Sequence, residues 1–168
     1  MVKLENIIEV IEGLTGFTTD TIYDLFFGEK KVIAAIVLHP SDLTEMYGKP
    51  DPLSFLFGGW LKSGEAKMQS TKLIDDRRQA FKTKTPNEIL TMHKANMEID
   101  YENIISVSIK KGLLTTSLEF EVQKHPKKKI KFRLKRSQIT EAKRVISKIL
   151  PTKFLKNARA RAPERVQS

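Results

Sequence analysis

The side chains with the clearest chemical potential are the cations between Lys124 and Arg136, in the stretch K-H-P-K-K-K-I-K-F-R-L-K-R. Ammonium and guanidinium groups bind phosphates and carboxylates, so a cluster of them is a candidate surface for a polyanion. The same stretch carries Ile130, Phe132 and Leu134 at every second position, which is typical of a strand with one buried face. The alternation is therefore explained by a strand with one buried face, and only the excess of positive charge needs a functional explanation.

The positive charge is concentrated in the last quarter of the chain. The net charge is +10, and residues 124–168 hold 16 of the 30 Lys and Arg but 2 of the 20 Asp and Glu. Such asymmetry indicates an anionic partner, either nucleic acid or an anionic membrane surface. A basic tail that serves solubility is the plainer alternative, and both interpretations stay open.

Residues suited to catalysis or metal binding are sparse. His39, His93 and His125 stand far apart in the sequence, and none has a second ligand at the spacing of a zinc site. The chain has no cysteine, which excludes disulfides and thiolate chemistry. It also contains no nucleophile elbow and no phosphate-binding P-loop. We expect no enzyme activity, no cofactor and no metal, with His125 as a turn residue.

Length and composition predict one globular domain. A chain of 168 residues that is 40% hydrophobic suits a single core followed by a short tail. The longest apolar run, Val32 to Leu38, is far below the roughly 20 residues of a membrane-spanning helix, and the N-terminus lacks the layout of a signal peptide. We expect a cytoplasmic protein, with peripheral attachment to a membrane as an option.

The first 38 residues predict strands. Two apolar, β-prone runs at about 20–27 and 31–38 flank Gly28-Glu29-Lys30, which is the pattern of a hairpin. The apolar residues between Asn6 and Leu14 fit either a short helix or an earlier strand; we favour the strand and expect Gly13 and Gly16 to end it.

Residues 40–85 differ in character and are interpreted as an insertion. We expect a helix at about 67–82, whose Asp75, Asp76, Arg77 and Arg78 form an exposed face with local charge pairing. An apolar segment before it carries Phe55, Phe57 and Trp60 around two glycines. This segment either packs into the core or contacts a partner chain or a membrane interface.

The second half predicts one short helix, an antiparallel meander and a closing helix. Thr85-Pro86-Asn87-Glu88 has the form of a capping box and starts a helix expected to reach about Ala95. Apolar residues alternate in the three strands that follow, and a helical apolar pattern then runs to Leu150, with Ser137 as the expected N-cap and Pro151 as the stop. Those strand residues are Ile105, Val107, Ile109, Leu118, Phe120, Val122, Ile130, Phe132 and Leu134.

These elements resemble the pleckstrin-homology-like (PH-like) superfold, and more narrowly the PH-like and GRAM-like domains of uncharacterised bacterial and archaeal proteins. The hairpin I-Y-D-L-F-F-G-E-K-K-V-I-A-A-I, the segment T-P-N-E-I-L-T-M-H-K-A-N, the strand I-D-Y-E-N-I-I-S-V-S-I-K-K-G and the last hairpin with its helix carry the likeness. It implies a bent antiparallel sandwich or barrel of about seven strands, capped by the C-terminal helix, over residues 1–150. Residues 151–168 are then a flexible basic tail.

The resemblance implies binding of lipid head groups or proteins, and three hypotheses follow. In the first, Lys127, Lys128 and Lys129 at a hairpin tip, helped by Lys110 and Lys111 in a neighbouring turn, meet anionic lipid head groups. In the second, the same cluster binds nucleic acid non-specifically, together with Arg144, Lys148 and the tail. In the third, the chain is a homo-oligomer whose interface is the segment around Trp60.

Overall fold

The structure is a computed structural model and describes residues 6–47 and 64–155. These residues form a mixed α/β fold with one mostly antiparallel sheet. The strands are β1 Glu9–Gly16, β2 Ile22–Phe27, β3 Lys31–Leu38, β4 Met97–Asp100, β5 Ile104–Lys111, β6 Thr116–Val122, β7 Lys129–Leu134 and β8 Phe154–Leu155. The α-helices are α1 Pro40–Tyr47, α2 Gly64–Lys82, α3 Pro86–Thr91 and α4 Ile139–Ile149, and short 3-10 turns occupy Tyr101–Asn103 and Arg136–Gln138.

The eight strands form one open sheet in the order β4-β3-β2-β1-β7-β6-β5-β8. Two antiparallel meanders, β1 to β4 and β5 to β7, meet where Thr15 and Gly16 of β1 pair with Arg133 and Phe132 of β7. Strand β8 adds to β5 in parallel. The sheet therefore extends past residue 150, where the sequence analysis ended the domain, and its open edges differ from the expected barrel.

The main hydrophobic core lies between the sheet and α4. Leu118, Phe120, Ile130 and Phe132, four of the alternating residues expected to face inward, are all buried in it. Helix α4 buries Ala142, Val145 and Ile146, which share one face because they are spaced three or four residues apart. The predicted C-terminal helix is thus confirmed, although Ser137 does not cap it.

The start of that helix is a 3-10 turn held by a different residue. The side-chain oxygen of Gln138 accepts a hydrogen bond from the Lys135 amide at 2.8 Å. Its side-chain nitrogen donates to the Glu12 carbonyl at 2.7 Å and the Gly13 carbonyl at 3.0 Å, which ties the turn to β1. A residue that binds a neighbouring strand in this way cannot be recognised from the local sequence alone.

A second hydrophobic cluster covers the opposite face of β2 and β3. Phe26, Ile33, Ala35 and Val37 pack there with Phe81 of α2 and Ile89 of α3. Strand β3 is consequently buried on both faces, which explains why Val32 to Leu38 is a continuous apolar run rather than an alternating one. Helix α2 of the insertion is therefore part of the packed fold.

Helix α3 begins as predicted but is shorter than predicted. Thr85 accepts from the Glu88 amide, and the Glu88 carboxylate accepts from the Thr85 amide at 2.7 Å, which completes the capping box. The helix ends at Thr91 and not near Ala95. Asn96 explains the early end, since its side chain donates to the Ile89 carbonyl at 2.8 Å and accepts from the Ile36 amide at 2.8 Å.

Two irregular positions bend the predicted strands. Gly13 has a φ of +72° and lies within β1, where the pairing with β2 shifts, so it forms a bulge and does not end the strand. In β5 the register shifts between Ile104 and Ser106. Ile105 is the extra residue and is 54% exposed, so the predicted inward position of Ile105 is wrong and Ile104 is buried instead.

Candidate anion-binding site

The structure separates the five lysines of the sequence-predicted site into two groups. Lys127, Lys128 and Lys129 lie in the β6–β7 hairpin, which starts beyond Val122. Lys111 pairs with Thr116 at the opposite end of β6, and Lys110 precedes it. The length of β6 puts about 20 Å between the two ends, at roughly 3.3 Å per residue. The backbones of Lys110 and Lys111 therefore lie at the other end of β6 from the hairpin lysines.

Lys110 is also engaged by a buried carboxylate. Its ammonium group lies 2.6 Å from Oε2 of Glu119, and Lys131 reaches Oε1 of the same residue at 3.2 Å. Burial favours the neutral acid, but hydrogen bonds from the two lysines outweigh it and hold the pKa of Glu119 below its usual value. Of these two cations, Lys131 also faces a cleft on the hairpin side.

That cleft lies between the β1–β2 loop and the first residues of β7. It has a volume of about 300 Å³. Three lysines, two threonines and three aromatic residues dominate its wall, and no Asp or Glu of the described residues lines it. The lining residues are Gly16, Phe17, Thr18, Thr19, Tyr23, Met97, Lys127, Lys129, Ile130, Lys131 and Phe132.

The β1–β2 loop is held in place by Arg133. Its guanidinium donates to the carbonyls of Gly16 at 3.1 Å and Thr19 at 3.2 Å, and it pairs with Asp20 at 3.2 Å. Gly16 suits this turn because a Cβ there would lie 2.6 Å from Oγ1 of Thr19. Arg133 is thereby used to position the loop, and its charge is partly balanced by Asp20.

The opposite wall is the β6–β7 hairpin, whose turn has a defined geometry. Lys124 adopts a positive φ of 54°, and Nδ1 of His125 accepts from the Lys127 amide at 3.1 Å. The Lys128 carbonyl accepts from the Val122 amide at 2.9 Å. These bonds confirm His125 as a turn residue and place the backbone of Lys127 and Lys129 along the cleft.

The charges on the cleft wall differ in how far they are neutralised. Within the described part of the chain, Lys127 and Lys129 form no ion pair, and both are exposed. Lys131 is shared between Glu119 and the ring of Phe17, whose centroid lies 5.3 Å from its ammonium nitrogen. Phe17 is itself 44% exposed. The cleft wall thus carries two cations without an ion pair among the described residues, Lys127 and Lys129, beside Lys131, which is paired with Glu119.

A larger cleft of about 540 Å³ lies on the other side of the hairpin. His93, Lys94, Lys124 and His125 line it, but so do Glu98 and Asp100. Because its lining carries both positive and negative side chains, this cleft does not favour binding of an anion, although its volume is larger than that of the first cleft. We therefore place the candidate site in the smaller cleft, where the lining carries one sign of charge.

The remaining histidines form local contacts. The ring centroids of His39 and His93 lie 5.7 Å apart, and desolvation, followed by the charge of His39, lowers the pKa of His93 below its usual value. Nδ1 of His93 accepts from the Ala95 amide, as His39 does from the Ser41 amide. Among residues 6–47 and 64–155, no three His, Asp or Glu are grouped as metal ligands.

Charged residues of α2 and α4 form ion pairs that connect these helices to other elements of the fold. Arg77 and Arg78 pair with Asp42 and Asp24 rather than with the adjacent Asp75 and Asp76, so the predicted local pairing is wrong. Arg144 binds Glu9 and Glu141, and Lys148 binds Glu9 at 2.6 Å. The two helix cations of the nucleic-acid hypothesis are therefore already paired.

The sequence-predicted partner contact, Phe55, Phe57 and Trp60, lies outside the described residues. Phe17, Thr18, Thr19 and Lys131 line the cleft but were not among the sequence-predicted site residues. A polar loop that follows a strand-ending glycine is a weak signal for a site. The β1–β7 pairing that brings this loop beside the lysines has no local signature in the sequence.

No known protein-family model, curated protein or solved structure matches this chain. Across the parts of the chain that the structure describes, no helix is both long and apolar enough to cross a membrane.

Proposed function

We propose that this protein is a non-catalytic binding module of PH-like type that attaches peripherally to membranes by holding an anionic lipid head group in the cleft. The observation that carries the proposal is the composition of the cleft wall. Lys127, Lys129 and Lys131 line it together with Thr18 and Thr19, and no described carboxylate does. Ammonium and hydroxyl donors are the groups that bind phosphate oxygens.

The form of the sheet supports the PH-like part of the proposal. Residues as far apart in the strand order as Ile99 of β4 and Val107 of β5 belong to the same core cluster. A flat sheet of this width would not bring its two halves to one core, so a strong bend is expected. Helix α4 follows β7 and contributes Val145 and Ile146 to that core.

The size of the cleft and its surroundings favour a head group over a nucleic acid. A volume of about 300 Å³ suits one small polar group, whereas single strands are usually bound along a groove with successive stacking aromatics. Phe17 is the exposed aromatic at the described cleft. Arg144 and Lys148 are paired with Glu9 and do not extend a basic track.

Co-sedimentation with vesicles tests the proposal. Vesicles of phosphatidylcholine alone are compared with vesicles that also contain phosphatidylserine, at about 0.05 and 0.3 M salt, a range that changes Debye screening substantially. We expect binding to the anionic vesicles alone, weaker at the higher salt. A short DNA duplex is added as competitor, and complete loss of vesicle binding to the duplex would favour nucleic acid instead.

Charge reversal then locates the site. Lys127→Glu combined with Lys129→Glu is expected to weaken vesicle binding at least about thirtyfold, since each cation contributes roughly 1 kcal/mol. The matched control is Lys72→Glu with Lys143→Glu, which changes the net charge equally at exposed positions on α2 and α4. Equal losses in both variants would mean that net charge alone acts, and would contradict a site in the cleft.

A further inference from the structure

The most exposed apolar side chains of the described residues lie at the far end of β6 from the cleft. Leu113 and Leu114 form the β5–β6 turn and are 102% and 93% exposed. The turn is closed by a hydrogen bond from the Gly112 amide to the Thr115 carbonyl at 2.7 Å, and a Cβ at Gly112 would lie 2.8 Å from that oxygen. Two leucines are thus held outward by a fixed backbone.

Cations surround this leucine tip, which we define as residues 112–115. Lys111 pairs with Thr116, and Thr116 pairs with Leu134, so Lys135 and Arg136 come next at the same end of the sheet. Lys111, Lys135 and Arg136 are exposed and form no ion pair with a described carboxylate. Glu119, the first carboxylate along β6, is buried and paired with Lys110 and Lys131.

We infer that the leucine tip inserts into the interface of an anionic bilayer. Leucine is stable at the boundary between head groups and acyl chains, and unpaired cations beside it meet anionic head groups. A protein partner fits less well, because a stable protein interface covers roughly 800 Å² on each side and the tip offers two apolar residues on a narrow turn. A bilayer can receive a small projecting tip without a matching pocket.

This inference is independent of the cleft. The tip precedes β6, whereas the cleft lies along β7 from the hairpin to Phe132, so the two contacts share no residue. The two contacts can therefore be removed one at a time. Substitutions in either place change exposed side chains and leave the core residues untouched.

The absence of cysteine in the chain allows a site-specific label. Leu114→Cys is labelled with an environment-sensitive fluorophore and mixed with phosphatidylcholine–phosphatidylserine vesicles that carry quencher-labelled lipids. We expect a blue shift and quenching for this label. The control label at Lys143→Cys, on the exposed side of α4, should show neither. A label at position 114 that stays in water, with or without binding of the protein, would overturn the inference.

Removal of the apolar tip gives a second measurement. In the Lys127→Glu, Lys129→Glu background, Leu113→Ser with Leu114→Ser should weaken the remaining vesicle binding at least tenfold and leave the melting temperature unchanged, whereas Met68→Ser in the same background, at an apolar residue that is 74% exposed on α2, should change neither. Unchanged binding of the double variant would contradict insertion. Lys127→Glu with Lys129→Glu is expected to retain the fluorescence signal from the label at position 114. A result that contradicts head-group binding in the cleft therefore differs from a result that contradicts insertion of the leucine tip.

Discussion

Arg78 of helix α2 binds Asp24 of strand β2 through two hydrogen bonds, of 2.7 and 2.8 Å. Asp24 is 1% exposed and accepts a further bond from the amide of Gly13 at 2.7 Å. One carboxylate therefore joins the insertion helix to the sheet and also holds the bulge of β1. The contact joins residues that are 54 positions apart in the sequence and lies at the bulge of the strand that leads to the β1–β2 loop.

Removal of the arginine should be costly. Arg78→Met leaves the Asp24 carboxylate buried with only a backbone amide as donor, and we expect the free energy of unfolding to fall by about 3 kcal/mol. Urea unfolding monitored by circular dichroism measures this change. Arg136→Met, at an exposed and unpaired position, is the control and should stay within about 0.5 kcal/mol. Equal unfolding midpoints for the two variants would contradict the role of the Asp24 contact.

The N-terminal cap of α3 should contribute measurably to stability. Thr85→Ala removes the hydroxyl that accepts from the Glu88 amide, and we expect a loss of about 1 kcal/mol. Thr85→Ser retains the hydroxyl and is the matched control. If Ser and Ala give the same unfolding midpoint, the cap does not stabilise the helix in the folded protein.

Glu9 should give the protein a defined acid response. Hydrogen bonds from Arg144 and then Lys148 lower its pKa from 4.5 to about 2. Because the folded-state pKa is depressed, ionised Glu9 stabilises the folded protein. This stabilisation is complete above about pH 4.5 and is lost as the pH falls through about 2. Thermal melts over this range should show a shallower acid dependence in Glu9→Gln. An unchanged dependence would mean that Glu9 does not link β1 to α4 in solution.

Glu119 should restrain anion binding. Glu119→Gln removes the carboxylate that neutralises Lys131 on the cleft wall, so affinity for phosphatidylserine vesicles should rise about fivefold, for a gain of roughly 1 kcal/mol. Glu141→Gln, with the same change of net charge on α4, is the control and should have little effect. An equal rise in both variants would show that the charge of the whole protein, and not the cleft, sets the affinity.

Two separate membrane contacts, the leucine tip and the cleft, predict that the protein clusters vesicles. One molecule would hold one bilayer through the leucine tip and another through the cleft, so light scattering of phosphatidylserine-containing vesicles should rise when protein is added. Lys127→Glu with Lys129→Glu, or Leu113→Ser with Leu114→Ser, should each prevent the rise while leaving residual binding. Clustering that survives both variants would contradict this arrangement of the two contacts.

The sequence predicted best those features that depend on neighbours along the chain. The alternation of Leu118, Phe120, Ile130 and Phe132 and the capping box at Thr85 are local patterns with one physical explanation each, and both are confirmed. The end of α3 was placed too late because Asn96 is engaged by the Ile36 amide, a contact across 60 residues. The bulge at Ile105 reverses a predicted inward position for the same reason, since register depends on the partner strand.

The candidate site was predicted only in part. Lys127 and Lys129 stood out because charge clusters are visible in a sequence, whereas grouping them with Lys110 and Lys111 was wrong because β6 separates the two ends. The contribution of Phe17 and the β1–β2 loop depends on the pairing of Gly16 with Phe132. That pairing joins residues more than a hundred positions apart and follows from the whole fold.

Binding of a head group in the cleft is tested most simply by a titration with short-chain phosphatidylserine below its critical micelle concentration, followed through the backbone amide resonances. Without a bilayer, only the head-group site is probed, so the leucine tip does not contribute. We expect chemical shift changes that saturate and are concentrated at Phe17 to Thr19 and Lys127 to Lys131, the two walls of the cleft. Changes centred elsewhere, or no saturable change, would contradict an anion-binding site in this cleft.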